Sequence, residues 1–303
     1  MDKKNNGNKK EIMGKIIRGI AGFYYVYAEN HSLYECKAKG VFRKNGEKPL
    51  VGDNVSIVVL DEEKQLGNIE EILPRKNSLI RPAVANVDQT LVIFASDKPK
   101  PNYNLLDRFL LMMEQKQIPC IIVFNKCDLI TEADKQEMSH IYKNTGHKVY
   151  FMSAKKQIGI EEVKAVLKGK TTTVAGPSGV GKSSFINLLQ DTIQMETGAI
   201  SEKIERGKHT TRHSELITLA DDSYIFDTPG FSSLAIFDLE KEDIKDYYPE
   251  FALYYNQCKY LGCNHINEPN CVIKQAVESE EISKIRYENY KLLFEECSNK
   301  KKY

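Results

Sequence analysis

The chain begins with short runs of alternating apolar and polar residues that are separated by turn signals. The runs fall at 22–27, 32–36 and 55–60, and Asn45-Gly46 and Gly67-Asn68 mark turns between them. Several short strands at this spacing within residues 11–80 favour a small β-barrel such as an OB-fold. Another kind of small β domain fits the same pattern, so the pattern alone leaves this choice open.

Beyond a connector at 75–83, the pattern changes to continuous apolar runs that alternate with helical spacing. Buried strands are predicted at 89–95, 118–124, 149–152 and 171–175, with a last strand ending at Asp227, and helices at 105–115 and 133–143. In the first helix, Leu106, Phe109, Leu110 and Met113 share one face. This alternation predicts a parallel α/β sheet covered by helices.

Residues 235–303 show no clear strand pattern, and 280–296 is the longest predicted helix among them. We therefore predict a multidomain α/β protein. Its parts are a disordered basic start (1–10), a barrel (11–80), an α/β domain (81–234) and a helical domain (235–303).

Composition narrows the class of protein. An apolar fraction of 41% and a charged fraction of 28% over 303 residues are those of a soluble globular protein. No signal-peptide core and no apolar run of about 20 residues is present, so we expect a cytoplasmic location and no membrane partner. Because the net charge is only +1, any RNA contact must come from local patches.

A glycine-rich phosphate-binding loop follows the strand at 171–175. Its sequence is Gly176-Pro177-Ser178-Gly179-Val180-Gly181-Lys182-Ser183, and a helix opens at Lys182. The glycines let backbone N–H groups face phosphates, and the helix N-terminus adds partial positive charge. We expect Lys182 to reach the β- and γ-phosphates and Ser183 to bind Mg²⁺, with Ser184 next to it in the same site.

A guanine-reading NKxD motif, Asn125-Lys126-Cys127-Asp128, ends the buried strand at 118–124. The Asp128 carboxylate is expected to accept hydrogen bonds from the guanine N1–H and 2-amino groups. Adenine lacks this donor pair, so Asp128 predicts GTP over ATP. Asn125 and Lys126 are expected to brace the loop and cover the base. Ser153-Ala154-Lys155 resembles the SAK element, whose backbone contacts the guanine oxygen.

Residues 207–213 and 227–231 carry the expected switch elements. Asp227-Thr228-Pro229-Gly230 fits the DxxG element, with Asp227 holding Mg²⁺ through water and the Gly230 N–H meeting the γ-phosphate. Thr211 is the expected switch threonine for Mg²⁺, with Thr210 as the alternative. Phe231 stands where many GTPases place a glutamine that orients water, so intrinsic hydrolysis is expected to be slow. His213, or else His209, is the candidate for positioning the water.

The two nucleotide signatures stand in an unusual order. The NKxD motif at 125–128 precedes the phosphate-binding loop at 176–183, whereas ordinary GTPases have the reverse order. Because both motifs are intact, the order indicates a circularly permuted GTPase domain.

Four metal-ligand side chains crowd into residues 258–271. Cys258, Cys263, His265 and Cys271 offer three thiolates and one imidazole, which is a closed tetrahedral set for one structural Zn²⁺. A group of thiols without metal is the alternative. In a reducing compartment, clustered cysteines more often bind metal than pair.

Taken together, these residues resemble the RsgA family (YjeQ/YloQ type) of circularly permuted bacterial GTPases. The resemblance covers nearly the whole chain: a β-barrel start, then NKCD, SAK, GPSGVGKS, GKHTT and DTPGF, then the Cys/Cys/His/Cys cluster. Phe231 matches the family, whereas Arg212 stands where relatives often carry a third threonine, which leaves the switch assignment open.

The resemblance implies an N-terminal OB-fold, a permuted Ras-like P-loop domain and a C-terminal zinc-binding helical domain. It also implies a GTPase that converts GTP to GDP and phosphate under stimulation by the small ribosomal subunit, binds rRNA and acts late in maturation of that subunit. We expect a monomer. Tyr24, Tyr25, Tyr27, Arg43 and Lys44 are candidate RNA contacts, although core or solvated surface roles fit each of them equally well.

Three alternatives stay open from sequence: a GTPase with a protein or membrane partner, a GTP-regulated RNA-binding switch, and a P-loop ATPase, against which Asp128 argues. The permuted order also suggests a mechanism. The chain runs from the DxxG element through 231–234 directly into the zinc domain, so loss of the γ-phosphate is expected to reorient that domain.

Overall fold

The computed structural model describes residues 10–40, 42, 46–80, 83–197, 215–219, 222–227 and 239–299. The chain forms two compact units. The barrel unit comprises Met1–Asp88, Leu167–Val174 and Leu189–Phe231, and the P-loop unit comprises Gln89–Val166, Ala175–Leu188 and Ser232–Tyr303. Among the described residues, no helix has the length and apolar character needed to cross a membrane.

Five strands at the start of the chain close into a barrel. They are β1 (Glu11–Ile20), β2 (Phe23–Ala28), β3 (Leu33–Ala38), β4 (Asn54–Asp61) and β5 (Leu66–Ile72). Their spatial order is β1-β2-β3-β5-β4, and β4 pairs back with β1. Only β3 and β5 run parallel among these pairs. This closed five-stranded barrel confirms the predicted OB-type fold.

Period-two alternation fills the barrel interior. Ile16, Val26, Val55, Ile57 and Ile69 are fully buried, while the residues beside them on each strand are more exposed. The strand-forming pattern of the sequence therefore also marks which side chains make the barrel core.

The connector after the barrel is tied to it by polar groups. Arg75 donates two hydrogen bonds to the buried Asp53 carboxylate, at 2.7 and 2.8 Å. A short hairpin follows, formed by β6 (Ser78–Leu79) and β7 (Val84–Ala85). Asn86 then donates to the Gly52 carbonyl at 3.0 Å. The described residues of the predicted connector therefore extend the barrel through defined contacts.

Three strands from later in the chain complete the barrel unit. They are β11 (Thr171–Ala175), β12 (Glu215–Thr218) and β13 (Tyr224–Asp227). β11 and β13 run parallel, with Thr173 opposite Phe226. β12 pairs antiparallel with β13 and meets β1 where Arg18 stands opposite Glu215. The strands that precede the phosphate-binding loop and the DxxG element in the sequence, β11 and β13, therefore end at the same edge of the sheet.

The P-loop unit contains the first three of the predicted parallel strands, and helices follow them along the chain. The strands are β8 (Gln89–Ala95), β9 (Cys120–Asn125) and β10 (Lys148–Phe151), and both pairings are parallel. The helices are α1 (Tyr103–Gln115), α2 (Glu132–Ile141), α3 (Ile160–Ala165) and α4 (Lys182–Thr197). The predicted apolar face of α1 is buried throughout.

Helix starts follow from capping residues. The Asn102 side chain accepts the Leu105 N–H at 3.0 Å and caps α1. Thr131 and Asp134 form a capping box at the start of α2. These caps fix where the helices begin relative to the strand ends that carry the motifs.

In the last described part of the chain, 239–299, all regular elements are helices, as predicted, and residues 255–271 between them form a loop. It contains 3₁₀ helices at Lys241–Tyr247 and Pro249–Tyr254, then α5 (Val272–Glu278) and α6 (Lys284–Ser298). Tyr248, Phe251 and Tyr290 pack with ring centroids 5.0–5.3 Å apart. These edge-to-face and tilted contacts form the centre of an aromatic core.

A buried charge network joins this helical part to α1. Arg286 in α6 donates to Asp107 at 2.6 Å and to both oxygens of Glu250 at 2.8 and 3.0 Å. Asn289 donates to the second Asp107 oxygen at 2.6 Å. The Arg286 guanidinium lies 4.5 Å from the Tyr248 ring centroid. All of these side chains are buried. No motif or spacing in the sequence predicts this network.

Candidate nucleotide site and metal cluster

The phosphate-binding loop has the backbone that its glycines were expected to permit. Gly176, Gly179 and Gly181 have φ values of 133°, 78° and 93°, which disfavour residues with a side chain. A Cβ at Gly176 would collide with the Ile93 carbonyl oxygen. Gly176 therefore serves both the turn and the close approach of two backbone segments.

Lys182 folds back over this loop. Its Nζ donates to the carbonyl oxygens of Gly176 at 2.7 Å and Pro177 at 2.6 Å. Burial lowers the pKa of Lys182, because removal from water disfavours the charged form. Ser183 and Ser184 are exposed at the start of α4. The loop thus presents a partly desolvated cation and the N-terminal end of a 16-residue helix.

The Asn125 side chain connects the three predicted motifs. It is 2% exposed at the end of β9. Its amide nitrogen donates to the Val180 carbonyl at 2.8 Å, and its oxygen accepts the Ala154 N–H at 3.1 Å. A Cβ at Gly181 would collide with this amide nitrogen. One buried side chain therefore holds the NKxD, SAK and phosphate-binding segments together.

Lys126 makes a second bridge. It adopts a left-handed conformation (φ 63°), and its Nζ donates to the carbonyls of Lys98 at 2.5 Å and Gly179 at 2.9 Å. Asp128, in the short 3₁₀ helix Cys127–Leu129, has an exposed side chain. The Asp128 carboxylate is therefore accessible to solvent, and the adjacent Asn125 and Lys126 are hydrogen-bonded to the phosphate-binding loop.

The SAK segment is also fixed by hydrogen bonds. Ser153 is buried and exchanges two backbone hydrogen bonds with Ile158, at 2.9 and 3.1 Å. Its hydroxyl oxygen accepts the Lys156 N–H at 3.1 Å. Lys155 is exposed. This tight loop places backbone N–H groups at the end of β10, next to the end of β9.

Ser96 is a contributor that the sequence analysis missed. It follows β8, and its N–H and hydroxyl donate to the Asn125 carbonyl at 2.7 and 3.0 Å. Ala95 pairs with Asn125 across the sheet, so Ser96 stands at the same edge. A small polar residue directly after a fully apolar strand was the available signal.

Several predicted residues lie outside the described part of the chain. These are Thr210, Thr211, Arg212, His209, His213, Gly230, Phe231, Arg43 and Lys44. For Asp227, the structure describes the strand position at the end of β13. Among the candidate RNA contacts, Tyr25 donates to Glu35 at 3.1 Å and lies under the Arg18 guanidinium, 4.1 Å from the ring centroid.

The predicted metal ligands converge. The ligand atoms of Cys258, Cys263, His265 and Cys271 lie within 4.8 Å of one another. His265 Nδ1 is 3.3 Å from Cys271 Sγ and 3.6 Å from Cys258 Sγ, and both sulfur pairs made by Cys271 are 3.9 Å apart. A tetrahedral site with metal–sulfur bonds of about 2.3 Å has sulfur–sulfur edges of about 3.8 Å. The donor set therefore fits a tetrahedral metal ion.

Surrounding groups fix the metal-binding loop. Tyr287 and Tyr290 donate to the carbonyls of His265 and Asn264 at 2.7 and 2.5 Å. Glu268 accepts the N–H groups of Asn264 and Ile266 at 2.8 and 2.9 Å. Burial raises the pKa of Cys263 to about 12, so a cation is needed to hold its thiolate at neutral pH.

Comparisons with known proteins agree with this geometry. The RsgA N-terminal domain model matches residues 13–69, and the RsgA GTPase model matches residues 72–237. A protein named small ribosomal subunit biogenesis GTPase RsgA from Agathobacter rectalis is 62% identical over 302 residues, covering 96% of this chain and 100% of that protein. A protein of the same name from Alkaliphilus metalliredigens is 46% identical over 290 residues, covering 96% and 99%.

Two solved structures are similar over nearly the whole chain. The crystal structure of YjeQ from Thermotoga maritima has a TM-score of 0.82 at 36% identity and covers 96% of this chain and 100% of that one. The structure of YloQ, described as a circularly permuted GTPase, has a TM-score of 0.81 at 36% identity, with coverage of 99% and 100%.

Proposed function

Because the chain belongs to the RsgA family of GTPases, we propose that it binds GTP with Mg²⁺ and hydrolyses it to GDP and phosphate during late maturation of the small ribosomal subunit. The observation that carries the nucleotide part is the pair of hydrogen bonds by which Asn125 joins the phosphate-binding loop to the SAK loop. The names of the relatives support the ribosomal part.

In this proposal the triphosphate lies against the backbone N–H groups of residues 176–184. Lys182 exchanges its carbonyl partners, Gly176 and Pro177, for the β- and γ-phosphates. A phosphate is the better acceptor because the ammonium is partly desolvated, and opposite charges attract more strongly away from water. The N-terminus of α4 adds its dipole to the same site.

Guanine is read at the other side of the site. Asp128 accepts hydrogen bonds from the N1–H and 2-amino groups of the base, while Lys126 covers its face. The Ala154 N–H is already directed at Asn125, so we assign the contact with guanine O6 to the Lys155 N–H of the same loop. Ser153 holds that loop through its buried hydrogen bonds.

Magnesium and water complete the site. We propose Ser183, Thr211 and Asp227 as the Mg²⁺ partners, with the Gly230 N–H on the γ-phosphate. His213 is the proposed group that positions the attacking water, with His209 as the alternative. Phe231 can neither orient nor deprotonate water, so hydrolysis depends on these residues and on the ribosomal partner.

We propose Zn²⁺ as the ion of the Cys258, Cys263, His265 and Cys271 cluster. Three thiolates and one imidazole suit zinc and leave no open position for catalysis. The tyrosine and glutamate contacts around the loop fix the orientation of the ligands. The ion therefore has a structural role in folding the C-terminal helices.

The domain division 11–80, 81–234 and 235–303 is part of the same proposal. The barrel is assigned to rRNA binding. The family matches to 13–69 and 72–237 support the separation of a barrel from a GTPase domain, and they meet near residue 70, before the proposed boundary at 80. We place the protein in the cytoplasm as a monomer.

Nucleotide selectivity tests the site directly. Xanthine carries a carbonyl where guanine has its 2-amino group, so a side-chain amide donor can pair with it where a carboxylate cannot. Asp128→Asn should therefore weaken GTP affinity by about tenfold or more and improve affinity for xanthosine triphosphate. Both affinities are measured by titration calorimetry. Asp134→Asn, in the α2 capping box, is the matched control. Unchanged GTP affinity in Asp128→Asn would contradict the guanine assignment.

A further inference from the structure

A row of polar side chains lies on the outer face of the barrel. Lys15 in β1 stands opposite Tyr27 in β2 and Asn54 in β4. The neighbouring residues along these strands, Ile16, Val26 and Val55, are fully buried in the barrel. Because side chains alternate across a strand, Lys15, Tyr27 and Asn54 point away from the barrel core.

This row forms one wall of a cavity within the barrel unit. Residues Asp222 and Tyr224, at the β12–β13 turn and the start of β13, form another wall, and Glu29 lies at the rim. The cavity has a volume of about 400 Å³. We call it the Lys15 cavity. A space of this size accommodates a flat aromatic ring system with its attached sugar.

Among the described residues, the half-buried Lys15 ammonium has no anionic partner within ion-pair distance. Its Nζ lies 5.3 Å from the centroid of the Tyr224 ring, and no described residue makes an ion pair or hydrogen bond with it. The nearby carboxylates of Asp53 and Asp88 are already paired, with Arg75 at 2.7 Å and Lys76 at 2.8 Å.

Burial lowers the pKa of Lys15, and the attraction of Asp88 and Asp53 only partly opposes this shift. A desolvated ammonium with no hydrogen-bond acceptor is costly. A ligand that brings an acceptor to Nζ would remove that cost, so the charge favours ligand binding.

The other groups of the cavity identify the ligand. Glu29 and Asp222 are exposed carboxylates at the rim, and they would repel a phosphate. They would instead accept hydrogen bonds from amino and imino groups. Tyr27 offers a ring face beside His31, whose Nδ1 lies 3.2 Å from the Tyr27 hydroxyl. The ligand must therefore be flat, with acceptors along one edge and donors along another.

Guanine has this distribution of groups. Its O6 and N7 accept from a lysine ammonium, its N1–H and 2-amino groups donate to carboxylates, and its face stacks on tyrosine. We propose that the Lys15 cavity binds one unpaired guanine base of ribosomal RNA. This inference rests on the proposed function and names a contact of the RNA-binding barrel.

The test uses a fluorescent, single-stranded, uridine-rich oligoribonucleotide with one central guanosine. Its affinity for the full-length protein is compared with that of the same oligonucleotide carrying adenosine at that position. Saturating GDP and Mg²⁺ fill the nucleotide site, so the oligonucleotide cannot report on it. We expect a preference for guanosine of about tenfold. Lys15→Met and Tyr27→Leu should each reduce that preference to about twofold or less.

Lys37→Met is the matched control, because Lys37 is another barrel lysine that rests on an aromatic ring, 5.2 Å from the Phe23 centroid. It should weaken both oligonucleotides alike and keep the guanosine preference. Equal affinity of the wild-type protein for both oligonucleotides, or a preference that survives Lys15→Met, would overturn the proposal. Hydrolysis of GTP with small subunits is measured in parallel. If the guanosine preference is absent while the subunits still stimulate hydrolysis, only the cavity assignment fails.

Discussion

At the scale of single residues, buried polar side chains determine the geometry of the nucleotide site. Asn125 satisfies a carbonyl of the phosphate-binding loop and an N–H of the SAK loop at once, and its own burial makes both bonds necessary. Lys126 adds a bridge to Gly179. The NKxD motif therefore holds the loops together in addition to its proposed role in reading the base.

His147 is a buried residue whose ionisation couples folding to pH. Its side chain is 5% exposed, and its Nε2 has no hydrogen-bond partner among the described residues. Burial, with a smaller effect from Arg286, lowers its pKa from 6.5 to about 4. Glu114 lies 3.8 Å away and would favour the charged imidazole. However, burial also raises the pKa of Glu114, so burial is the larger effect on both groups.

We predict that the free energy of unfolding falls as the pH decreases from about 7.5 to about 5. Over this interval the unfolded histidine takes up a proton that the folded one does not, so the loss from His147 is about 2 kcal/mol. Urea unfolding at the two pH values measures it. His147→Gln should remove this part of the loss, and His140→Gln, an exposed histidine in α2, should not. An equal pH dependence in wild type and His147→Gln would contradict the assignment.

Sequence motifs predict residues for the nucleotide site but not all of the contacts that these residues make. Gly176, Lys182 and Asp128 belong to short motifs with fixed spacing, so their proposed roles follow from local order. Ser96 joins Asn125 only because β8 and β9 are neighbours in the sheet. Pairing between distant segments has no local signature, so that contact required the structure.

At the scale of elements, the buried network of Arg286, Asp107 and Glu250 fastens α6 and the 3₁₀ helix Pro249–Tyr254 to α1. A surface pair on the same two α-helices, Arg108 with Glu296, supplements it. These contacts oppose a free reorientation of the helical part relative to α1. Any movement that follows loss of the γ-phosphate must therefore carry α1 along or break buried ion pairs.

We predict that Arg286→Met lowers the free energy of unfolding by about 3–5 kcal/mol, because it leaves two carboxylates buried without a cation. Arg108→Met removes the exposed pair on the same helices and should cost less than about 1 kcal/mol. Urea unfolding measures both variants. Similar costs for the two substitutions would show that the buried network does not fasten the helices.

We predict that the loop between the 3₁₀ helix Pro249–Tyr254 and α5 depends on the metal cluster. Cys263→Ser should abolish stoichiometric zinc binding and make residues 255–271 sensitive to protease, because this loop contains no helix or strand and the four ligand side chains would hold it together. Cys297→Ser, in α6 outside the cluster, should keep one zinc per chain. Metal content by mass spectrometry and limited proteolysis measure this. Full zinc content in Cys263→Ser would contradict the four-ligand site.

Element types followed well from sequence, whereas several packing relations did not. The strand at 89–95 is buried on both faces and appears in the sequence as a continuous apolar run. Helix α1 buries one face and appears as apolar residues at helical spacing. Both predictions therefore agree with the structure. The connector at 75–83 carries no such pattern, yet Arg75 ties it to Asp53. Likewise, Arg286 looks like an ordinary helix-surface residue in the sequence and is 2% exposed in the fold.

At the scale of the whole molecule, the permuted order determines how the parts are connected. The NKxD and SAK segments come first, and the phosphate-binding loop follows them. The strand that ends at Asp227 precedes the C-terminal helices. In GTPases with the ordinary motif order, the guanine-reading loops come last in the GTPase domain. Here the chain passes from the proposed DxxG element to the part that carries the candidate metal cluster, and the barrel, which we propose binds RNA, lies at the other end of the sequence.

We propose that this chain hydrolyses GTP in response to the small ribosomal subunit. Release of phosphate from GTP and from ATP by the full-length protein, with and without purified small subunits, tests this proposal. We expect slow turnover of GTP alone, strong stimulation by the subunits, no turnover of ATP, and loss of stimulated turnover in Lys182→Ala. GTP hydrolysis that the subunits leave unchanged, or equal hydrolysis of ATP, would contradict it.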